Sequence, residues 1–520
     1  MSDEPFNKTH MLLLLVFVTA ACAFSQAQAD DYLPNDILTP WEGGPAYYAQ
    51  WSNGPSSSPD FFPIAVWLQS PEAATAKTYK SIGINTFVGL YHGPTEAQLK
   101  AVASLDVVTI CDQNSVALAS KNNTVIMAWL HDDEPDNAQS GTQDPTPPSV
   151  IIARYEAMKA KDASRPVYLN LGQGVACDAW YGRGNRTNHP EDYAEYAQGA
   201  DILSFDTYPM NVFPLPNSAA PWFRAFNNVV AQNIWFVAEG VQRLRQWSDH
   251  AKPVWVWIES TNINGDSRYE LTPALVKSEV WMAIIHGARG VGYFCHQFSP
   301  TFIEAGLLAD PQMRAGVAAV NAQITELAPV LNTQSVANGV TAASSNAATP
   351  AAVMLKRFDG HTYLFAVAMR PGKTAATFSL RDFGDAEVEV IGENRTLAAT
   401  AGKFQDEFSD YAVHIYKISN AAATRVKLGS NLRKGMLLSN FSNPFNQSTI
   451  IAYTLPKDGR VTLKIYDIMG REAATLVDDR QAAGSYRLPF QPGNDLAGGV
   501  LFCALRTEAG SISQKMIYLK

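Results

Sequence analysis

The sequence predicts an α/β protein, a (β/α)8 barrel of the TIM type followed by two small β-sandwich domains. Between about residues 60 and 330, short apolar runs alternate with helical segments eight times, and strand-like runs without helices follow. Continuous apolar strands between helices are typical of a parallel sheet that is buried on both faces, and eight such units fit a closed barrel. The length of 520 residues leaves room for further domains at about 100–200 residues each.

The eight predicted barrel strands are short apolar runs: Pro63–Leu68, Asn85–Leu90, Val107–Cys111, Val125–Leu130, Val167–Leu171, Ile202–Thr207, Val254–Ile258 and Gly292–Cys295. Amphipathic segments between them predict helices, among them Glu72–Ile82, Pro94–Ser104, Val150–Lys161, Pro273–Gly287 and a closing helix over Asp310–Leu327. A doubly wound open sheet is the alternative, but no glycine-rich phosphate loop follows the first strand. The pattern therefore favours a barrel over residues 30–331.

The composition changes after the barrel. Asn332–Pro350 is rich in Ala, Ser, Thr and Asn, which predicts a linker. Short strands at sandwich spacing follow: Val353–Arg357, Tyr363–Ala368, Ala375–Leu380, Glu387–Ile391 and Val413–Tyr416. Asp359-Gly360 predicts a hairpin turn. We expect an accessory β-sandwich over residues 332–418, a linker over 419–435 and a last β module over 436–520, in which apolar and polar residues alternate around Val461, Leu463 and Ile465.

Composition excludes some functional classes. Hydrophobic residues make up 47% of the chain, which excludes a disordered protein. The 40 basic and 49 acidic residues give a net charge of −9, without a Lys/Arg cluster. Nucleic-acid binding depends on concentrated positive charge, so no nucleic-acid partner is expected. The 11 Trp, 20 Tyr and 24 Phe instead favour a surface that stacks on neutral rings.

The N-terminus carries an export signal. An apolar run over Met11–Phe24 precedes Ala27-Gln28-Ala29, which predicts a signal peptide over residues 1–29. The segment before the run lacks a positive excess, so Met11 is an alternative start, and Thr19–Cys22 is an alternative lipoprotein box. No later run approaches the ~20 apolar residues of a membrane helix. We expect a mature chain without a transmembrane segment, secreted or held at the cell surface.

The cysteines and histidines do not predict a metal site. After signal removal four cysteines remain, without C-x-x-C pairs or metal-ligand spacing: Cys111, Cys177, Cys295 and Cys503. We expect them to be small buried hydrophobic residues rather than disulfide partners. His92, His131 and His296 lie at different strand ends. No metal and no cofactor is therefore predicted.

Several motifs in the last module recur in one order: Asn443-Pro444-Phe445-Asn446, Leu463–Asp467, Gly470-Arg471-Glu472, Gly484-Ser485-Tyr486, Leu496–Val500 and Lys515–Lys520. The module resembles the C-terminal sorting domain of the type nine secretion system. That resemblance implies export across an outer membrane, the secretion machinery as a partner, and release or anchoring at the cell surface. A generic accessory β-sandwich that binds carbohydrate is the alternative.

Carboxyl groups follow two of the predicted strands. His131–Asp136 follows strand four and contains Glu134, and Glu259 ends strand seven. Active sites of (β/α)8 barrels lie at the carboxyl ends of the strands, and glycoside hydrolysis needs two carboxyl groups that flank the scissile bond. Taken alone, Glu134 could belong to a turn and Glu259 could stabilise a helix N-terminus. Together, at opposite sides of one barrel mouth, they favour catalysis.

Residues 60–330 resemble the clan A glycoside hydrolases, which carry their catalytic glutamates on strands four and seven. The resemblance implies that Glu134 is the acid/base and Glu259 the nucleophile. Asp133 departs from the clan, which usually has Asn before its acid/base. Tyr208 resembles the strand-six aromatic residue that contacts the nucleophile.

Polar and aromatic side chains at or near the other strand ends complete the predicted site. The predicted substrate-binding residues are Asp133, His92, Asn170, Tyr208, Trp129, Trp180, Trp257, His296 and Gln297. Indole and phenol rings stack on the apolar faces of sugar rings, and the amide, imidazole and carboxyl groups supply hydrogen bonds. The inserts Pro135–Ser149 and Gly172–Pro190 are expected to shape the cleft.

The sequence thus predicts a secreted or surface-bound retaining glycoside hydrolase that cleaves β-glycosidic bonds of a polysaccharide, with β-glucan-type substrates favoured. A catalytically silent surface carbohydrate-binding protein and an exo-acting β-glycosidase of the β-galactosidase kind are the alternatives. A lyase or peptidase is disfavoured, since the chain has neither an H-E-x-x-H motif nor a G-x-S-x-G motif.

Overall fold

The structure, a computed structural model, describes residues 32–33, 36–39, 43–120, 123–265, 270–419, 437–441, 445, 449–455, 457–467, 471–493, 496, 498–507 and 510–518. The chain forms two compact units, residues 1–424 and 425–520. The predicted signal peptide and the predicted linker over 419–435, except Ser419, lie outside the described residues.

Eight parallel strands close into a barrel in the order β1 to β8, which confirms the predicted fold class. They are β1 Ile64–Gln69, β2 Thr86–Leu90, β3 Val108–Asp112, β4 Ile126–Asp133, β5 Val167–Leu171, β6 Ile202–Asp206, β7 Val254–Glu259 and β8 Gly290–Phe294. Each predicted run overlaps its strand, because strands that are buried on both faces are apolar throughout.

Helices surround the barrel. They are α1 Pro45–Tyr48, α2 Ala73–Ser81, α3 Glu96–Ser104, α4 Ser115–Ala119, α5 Pro148–Lys161, α6 Asp192–Tyr196, α7 Pro221–Val230, α8 Phe236–Trp247, α9 Pro273–Ile285, α10 Gly306–Ala309 and α11 Pro311–Leu331. Polar side chains fix several helix starts. Thr95 forms a capping box with Gln98 at α3, and Asp310 accepts from two backbone amides at the start of α11.

The barrel interior is filled by large side chains rather than left open. Trp67 and Trp257 meet edge to face, with ring centroids 4.9 Å apart, and Tyr168 meets Trp255 at 5.3 Å. Gly290 and Gly292 make room for these indoles, since an added Cβ would lie 2.4 Å from Trp255 or 2.2 Å from Trp257. The interior is therefore a packed core, and the active sites of such barrels lie at the mouth formed by the carboxyl ends of the strands.

Strand β4 contains a β-bulge near its end. Leu130 pairs with Tyr168, and Asp133 pairs with Asn170. From the first pair to the second, β4 advances by three residues and β5 by two, so β4 contains one extra residue. A bulge interrupts the regular alternation of side chains. Leu130 packs in the barrel interior, and Asp133 hydrogen-bonds to Asn170 at the mouth. The two residues between them face helix α5: His131 donates to the Ile151 carbonyl and Asp132 pairs with Arg154.

A β-sandwich follows the barrel within the same unit. Its strands are β9 Val340–Ser344, β10 Ala351–Phe358, β11 His361–Ala368, β12 Thr374–Leu380, β13 Ala386–Val390, β14 Arg395–Ala399, β15 Lys403–Phe408 and β16 Val413–Ser419. They form sheets in the orders β10-β11-β16-β13-β14 and β15-β12-β9. Asp359 and Gly360 both have positive φ, of 49° and 69°, as the predicted hairpin turn requires.

The prediction that Asn332–Pro350 is a linker is wrong. Strand β9 lies within it and pairs with β12, and Thr333, Ser335, Val336 and Thr349 are buried. This edge strand consists of small and polar residues, so the sequence contains no apolar run that would predict a strand here. The sandwich also packs on the barrel: Ser278 of α9 donates to the Tyr411 carbonyl over 2.8 Å, and Trp281 stacks on Phe365.

The second unit is a separate β-sandwich. Its strands are β17 Leu437–Phe441, β18 Thr449–Leu455, β19 Gly459–Asp467, β20 Glu472–Gln481, β21 Gly484–Phe490, β22 Gly499–Thr507 and β23 Gly510–Tyr518, in the sheet orders β17-β18-β21 and β20-β19-β22-β23. Val461, Leu463 and Ile465 are buried, as their alternation predicts. None of the helices in the described part of the chain is long and apolar enough to cross a membrane.

Candidate active site

Three carboxyl groups and one amide meet at the barrel mouth. Asn170, at the end of β5, donates its side-chain amide to Asp133 Oδ1 over 3.0 Å and to Asp206 Oδ2 over 3.2 Å. The oxygen of the Asn170 side-chain amide accepts a hydrogen bond from the Ser204 hydroxyl over 2.7 Å, which fixes the orientation of this amide. The Asp206 carboxyl also lies close enough to that of Glu134 for the two to interact electrostatically. Asn170, predicted to bind substrate, is buried and instead positions the two aspartates.

Glu134 is held at the end of β4 by its backbone. Its amide donates to the Asn170 carbonyl over 3.0 Å, and its φ of 44° lies in the left-handed region, which is uncommon for residues other than glycine. Gly172 lies against its side chain, and an added Cβ there would be 3.2 Å from Glu134 Oε1. Glu134 is half-buried, so part of the residue is exposed to solvent.

Burial and neighbouring charges favour a protonated carboxyl in the pair of Glu134 and Asp206. Burial, together with the charges of Asp133 and Asp136, raises the pKa of Glu134 to about 7. Burial and the charges of Glu134 and Asp133 raise the pKa of Asp206 well above its usual range. Two facing carboxyls can hydrogen-bond only when one of them is protonated. The pair therefore offers a carboxylic acid at the mouth at the pH where a general acid is most useful.

Glu259, at the end of β7, is enclosed by protein groups. Its carboxylate accepts from the backbone amides of Met210 over 2.7 Å and Asn211 over 3.0 Å, and from the Asn211 side chain. Its side chain has 0% exposure. Burial raises its pKa to about 7, although these hydrogen bonds act in the opposite direction. The described conformation thus stabilises a carboxylate here but gives it no exposed surface.

A further carboxyl, Glu279 of α9, lies behind Glu259. It is fully buried, and its carboxyl lies close enough to that of Glu259 for the two to interact electrostatically. Burial and the charge of Glu259 raise the pKa of Glu279 well above its usual range. Burial thus favours a protonated carboxyl in this second pair, and a protonated Glu279 would favour the ionised form of Glu259.

Tyr208 lies between the two carboxyl pairs. Burial raises the pKa of its phenol well above the usual range, and the charges of Asp206, Glu134, Asp133 and Glu259 all act in the same direction. The phenol therefore stays protonated and can donate a hydrogen bond. Its ring also packs on Phe294 of β8, with centroids 5.2 Å apart.

The predictions that Trp129 and Trp257 stack on sugar rings are wrong. Trp129 has 0% exposure and belongs to the core between barrel and helices, where the Arg165 guanidinium covers its ring. The bulge in β4 explains this error, because the extra residue places Trp129 and Asp133 on opposite faces of the strand. Trp257 is 1% exposed and packs on Trp67 inside the barrel, below the mouth.

The remaining predicted residues lie at loops around the mouth. His92 is exposed after β2, with its ring 4.0 Å from that of Tyr91. His296 is buried after β8 and donates to the Leu68 carbonyl over 3.3 Å, and burial lowers its pKa. Gln297 donates to the Thr301 carbonyl. Trp180, after β5, donates its indole N–H to Asn137 Oδ1 over 2.7 Å.

The sequence did not indicate the roles of Asp206, Asn211 and Glu279. Asp206 was visible as a strand-end polar residue, but its pairing with Glu134 depends on two strands that are not neighbours in the barrel. Glu279 had one signal: it is a carboxyl directly before the apolar helical run Val280–Ile285. Within the described residues, no group of three or more His, Cys, Asp or Glu side chains has the arrangement of a metal site.

Comparisons with known proteins found solved structures that are only distantly similar to this chain. No protein-family model and no curated sequence matches the chain. A GH30 endoxylanase from Clostridium papyrosolvens aligns with a TM-score of 0.41 at 11% identity, covering 74% of this chain and 98% of its own. Alpha-galactosidase I from Mortierella vinacea aligns with a TM-score of 0.42 at 8% identity, covering 69% and 97%. An alpha-amylase from Geobacillus thermoleovorans has a TM-score of 0.36 at 12% identity, covering 69% and 98%. With TM-scores this low, the fold assignment rests on the closed eight-strand order of this chain.

Proposed function

We propose that the chain is a glycoside hydrolase whose proton donor is Glu134. The observation that carries the proposal is the position of the half-buried Glu134 at the barrel mouth, where burial and the charges of Asp133 and Asp136 raise its pKa to about 7. Protonating a leaving glycosidic oxygen requires a carboxylic acid that is still protonated near neutral pH and that a substrate can reach. Glu134 meets both conditions.

The proposed mechanism is a retaining double displacement on β-linked glycans, with β-glucan-type polysaccharides favoured. Glu134 donates its proton to the leaving oxygen and, once ionised, activates the water that releases the sugar. Glu259 is the proposed nucleophile, and its ionised form is favoured by the Asn211 and Met210 donors and by protonated Glu279. Because Glu259 has no exposed surface in the described conformation, attack requires a movement on substrate binding that uncovers its carboxylate.

The test is turnover of a panel of β-glucans, xylans, mannans and aryl β-glycosides with product analysis. A 2-fluoro glycoside of the best substrate should trap a covalent sugar, and peptide mapping should locate it on Glu259. Azide should rescue Glu259→Ala with inverted product stereochemistry. A trapped sugar on another residue, or an inverted product from the wild-type chain, would overturn the assignment of Glu259 while leaving Glu134 as the donor.

The enclosure of Glu259 favours a second candidate, a surface protein that binds carbohydrate without cleaving it. A binding protein needs no accessible nucleophile, and the acids at the mouth would then only hydrogen-bond to hydroxyl groups. The two candidates differ in one measurement. Binding of a glycan by the wild-type chain without any product over days would favour the binder, and release of reducing ends that is lost in Glu134→Gln would favour the hydrolase.

The export route is the second part of the proposal. The C-terminal unit, residues 425–520, is proposed to be a type nine secretion sorting domain that delivers the chain to the cell surface or the medium. Its motif residues Phe445 and Tyr486 stack on Tyr518 and Tyr453, which also suits a generic sandwich. Truncation at about Gly435 in a host with this secretion system should therefore leave an active chain in the periplasm. Normal surface delivery of the truncated chain would contradict the sorting role.

A further inference from the structure

Three aromatic rings form a solvent-accessible surface beside the barrel mouth, which we name the aromatic platform: Tyr181, Trp222 and Phe223. Trp222 is 53% exposed and stacks on Phe223, with centroids 3.8 Å apart and an interplanar angle of 24°. Tyr181 touches both rings, at 5.6 and 4.5 Å. Tyr181 follows β5 and the other two residues begin α7 after β6, so the platform lies at the same end of the barrel as Glu134.

The platform is built on buried aromatic residues. Phe226 is 1% exposed and meets both Trp180 and Tyr181, with centroids 4.7 and 5.8 Å away. Gly182 lets its loop fold over Trp180, because an added Cβ would lie 2.4 Å from the indole. The Gly182 carbonyl also accepts from the Ala138 amide over 2.7 Å, which ties the loop after β5 to the insert after β4. The exposed rings are therefore fixed before any ligand arrives.

The platform is continuous with the acid at the mouth. Trp180 donates its indole N–H to Asn137 Oδ1 over 2.7 Å. Asn137 donates its backbone amide to the Glu134 carbonyl over 3.0 Å, and its side chain lies near the Glu134 carboxyl. Asn137 is therefore the single residue that links Trp180, which lies beneath the aromatic platform, to Glu134, the proposed proton donor.

We infer that the aromatic platform is a binding subsite for a neutral pyranose ring of a glycan chain, adjacent to the bond that Glu134 protonates. Aromatic faces are uncharged and flat, and they match the apolar CH faces of a sugar ring. Because the platform lies beside Glu134 rather than at it, the ring it holds is a neighbour of the cleaved unit, and the substrate must be a chain. The inference rests on the proposed function for the position of the cleaved bond, but binding at the platform does not require turnover.

The experiment measures binding by isothermal titration with cellohexaose, xylohexaose and mannohexaose, using the full chain with Glu134→Gln to prevent hydrolysis. Trp222→Ala in that background should weaken binding of the preferred hexasaccharide by roughly 3- to 10-fold, the range for loss of one aromatic stacking contact. Trp222→Tyr should restore most of the affinity, because it retains an aromatic face. Phe502→Ala is the matched control, an exposed aromatic residue (39% exposed) in the other unit, and it should change nothing.

The outcomes separate the subsite from the hydrolase. Unchanged affinity in Trp222→Ala, equal losses in Trp222→Ala and Phe502→Ala, or no binding of any of the three hexasaccharides would overturn the subsite. Hexasaccharide binding that depends on Trp222, in a chain whose wild type releases no product, would support the subsite and refute the hydrolase. With an active wild type, Trp222→Ala should lower kcat/KM on the hexasaccharide but not on an aryl glycoside, which is too short to reach the platform.

Discussion

Asn170 holds Asp133 in place through an amide hydrogen bond of 3.0 Å across the ends of strands β5 and β4. The same amide reaches Asp206 of β6, so one buried side chain fixes two of the three acids at the mouth. An acidic cluster of this kind would otherwise repel itself, and the amide donor and the shared proton of Glu134 and Asp206 offset that repulsion.

Replacing the proposed proton donor should abolish most activity without unfolding the chain. Glu134→Gln removes the proton donor and keeps the shape of the side chain, so turnover should fall by ~10²–10⁴-fold. Because Glu134 is half-buried at the mouth, the melting temperature should change little. Glu156→Gln, an exposed glutamate of α5, is the control. Near wild-type turnover in Glu134→Gln would remove Glu134 from the mechanism.

The rate should fall as the pH rises through about 7. Glu134 must be protonated to act, and its pKa is raised to about 7, so the protonated form of Glu134 is present below that pH and is lost above it. The hydrogen bond from Asp206 favours ionised Glu134. Asp206→Ala should therefore move the alkaline limb of the pH–rate profile to higher pH, whereas Asp206→Asn, which keeps a donor, should leave it in place. Identical profiles for the two variants would disprove the shared proton.

The buried pair of Glu259 and Glu279 should make the fold less stable as the pH rises. The pKa of Glu259 is raised from 4.5 to about 7 and that of Glu279 well above 4.5. Both groups therefore hold protons in the folded chain that the unfolded chain has already released. Their stabilising effect is fully present below pH 4.5 and is lost as the pH rises through the folded values.

Glu279→Gln removes one of these groups and keeps a donor to Glu259. Between pH 5 and 7 the decline of the unfolding free energy should become shallower by up to about 1.4 kcal/mol per pH unit. Urea denaturation at several pH values measures the slope, and Glu156→Gln again serves as the exposed control. A slope equal to that of the wild type would show that Glu279 is already ionised in the folded chain.

The substitution Gly172→Ala should displace the Glu134 side chain, the proposed proton donor, although residue 172 itself is not proposed to contact substrate. In Gly172→Ala the added Cβ would lie 3.0 Å from Asn137 Nδ2 and 3.2 Å from Glu134 Oε1, so one of these side chains must shift by a few tenths of an ångström. Misplaced catalytic groups cost up to ~10²-fold in rate, and we expect a loss of turnover toward that value. Gly459→Ala, where no atom lies within 4 Å of the new Cβ, should be neutral. Full activity in Gly172→Ala would mean that Glu134 has more freedom than its contacts indicate.

The barrel could be predicted because each of its strands is a continuous apolar run, whereas the strands that were missed lack such runs. β9 is made of small residues, and β15 over Lys403–Phe408 has only two apolar residues, Phe404 and Phe408, among polar and charged ones. At the site, Glu134 and Asp133 were found from their position after a strand. The orientation of Trp129 could not be predicted, because the bulge at the end of β4 leaves no mark in the residue types. The enclosure of Glu259 could not be predicted either, since it depends on a loop after β6 and on a helix side chain 20 positions away.

The packing of the β-sandwich on α9 sets the shortest chain that can work. Met354, Tyr363, Phe365, Tyr411 and Ile415 of the sandwich belong to the same apolar core as the barrel helices. A chain cut after Leu331 would keep every barrel strand and every acid at the mouth, yet it would expose the outer side of α9, the helix that carries Glu279, to water. Such a fragment should precipitate or lose activity. The sandwich therefore covers the outer side of the barrel helices as part of the same core. The shortest chain that folds is expected to extend to about Ser419.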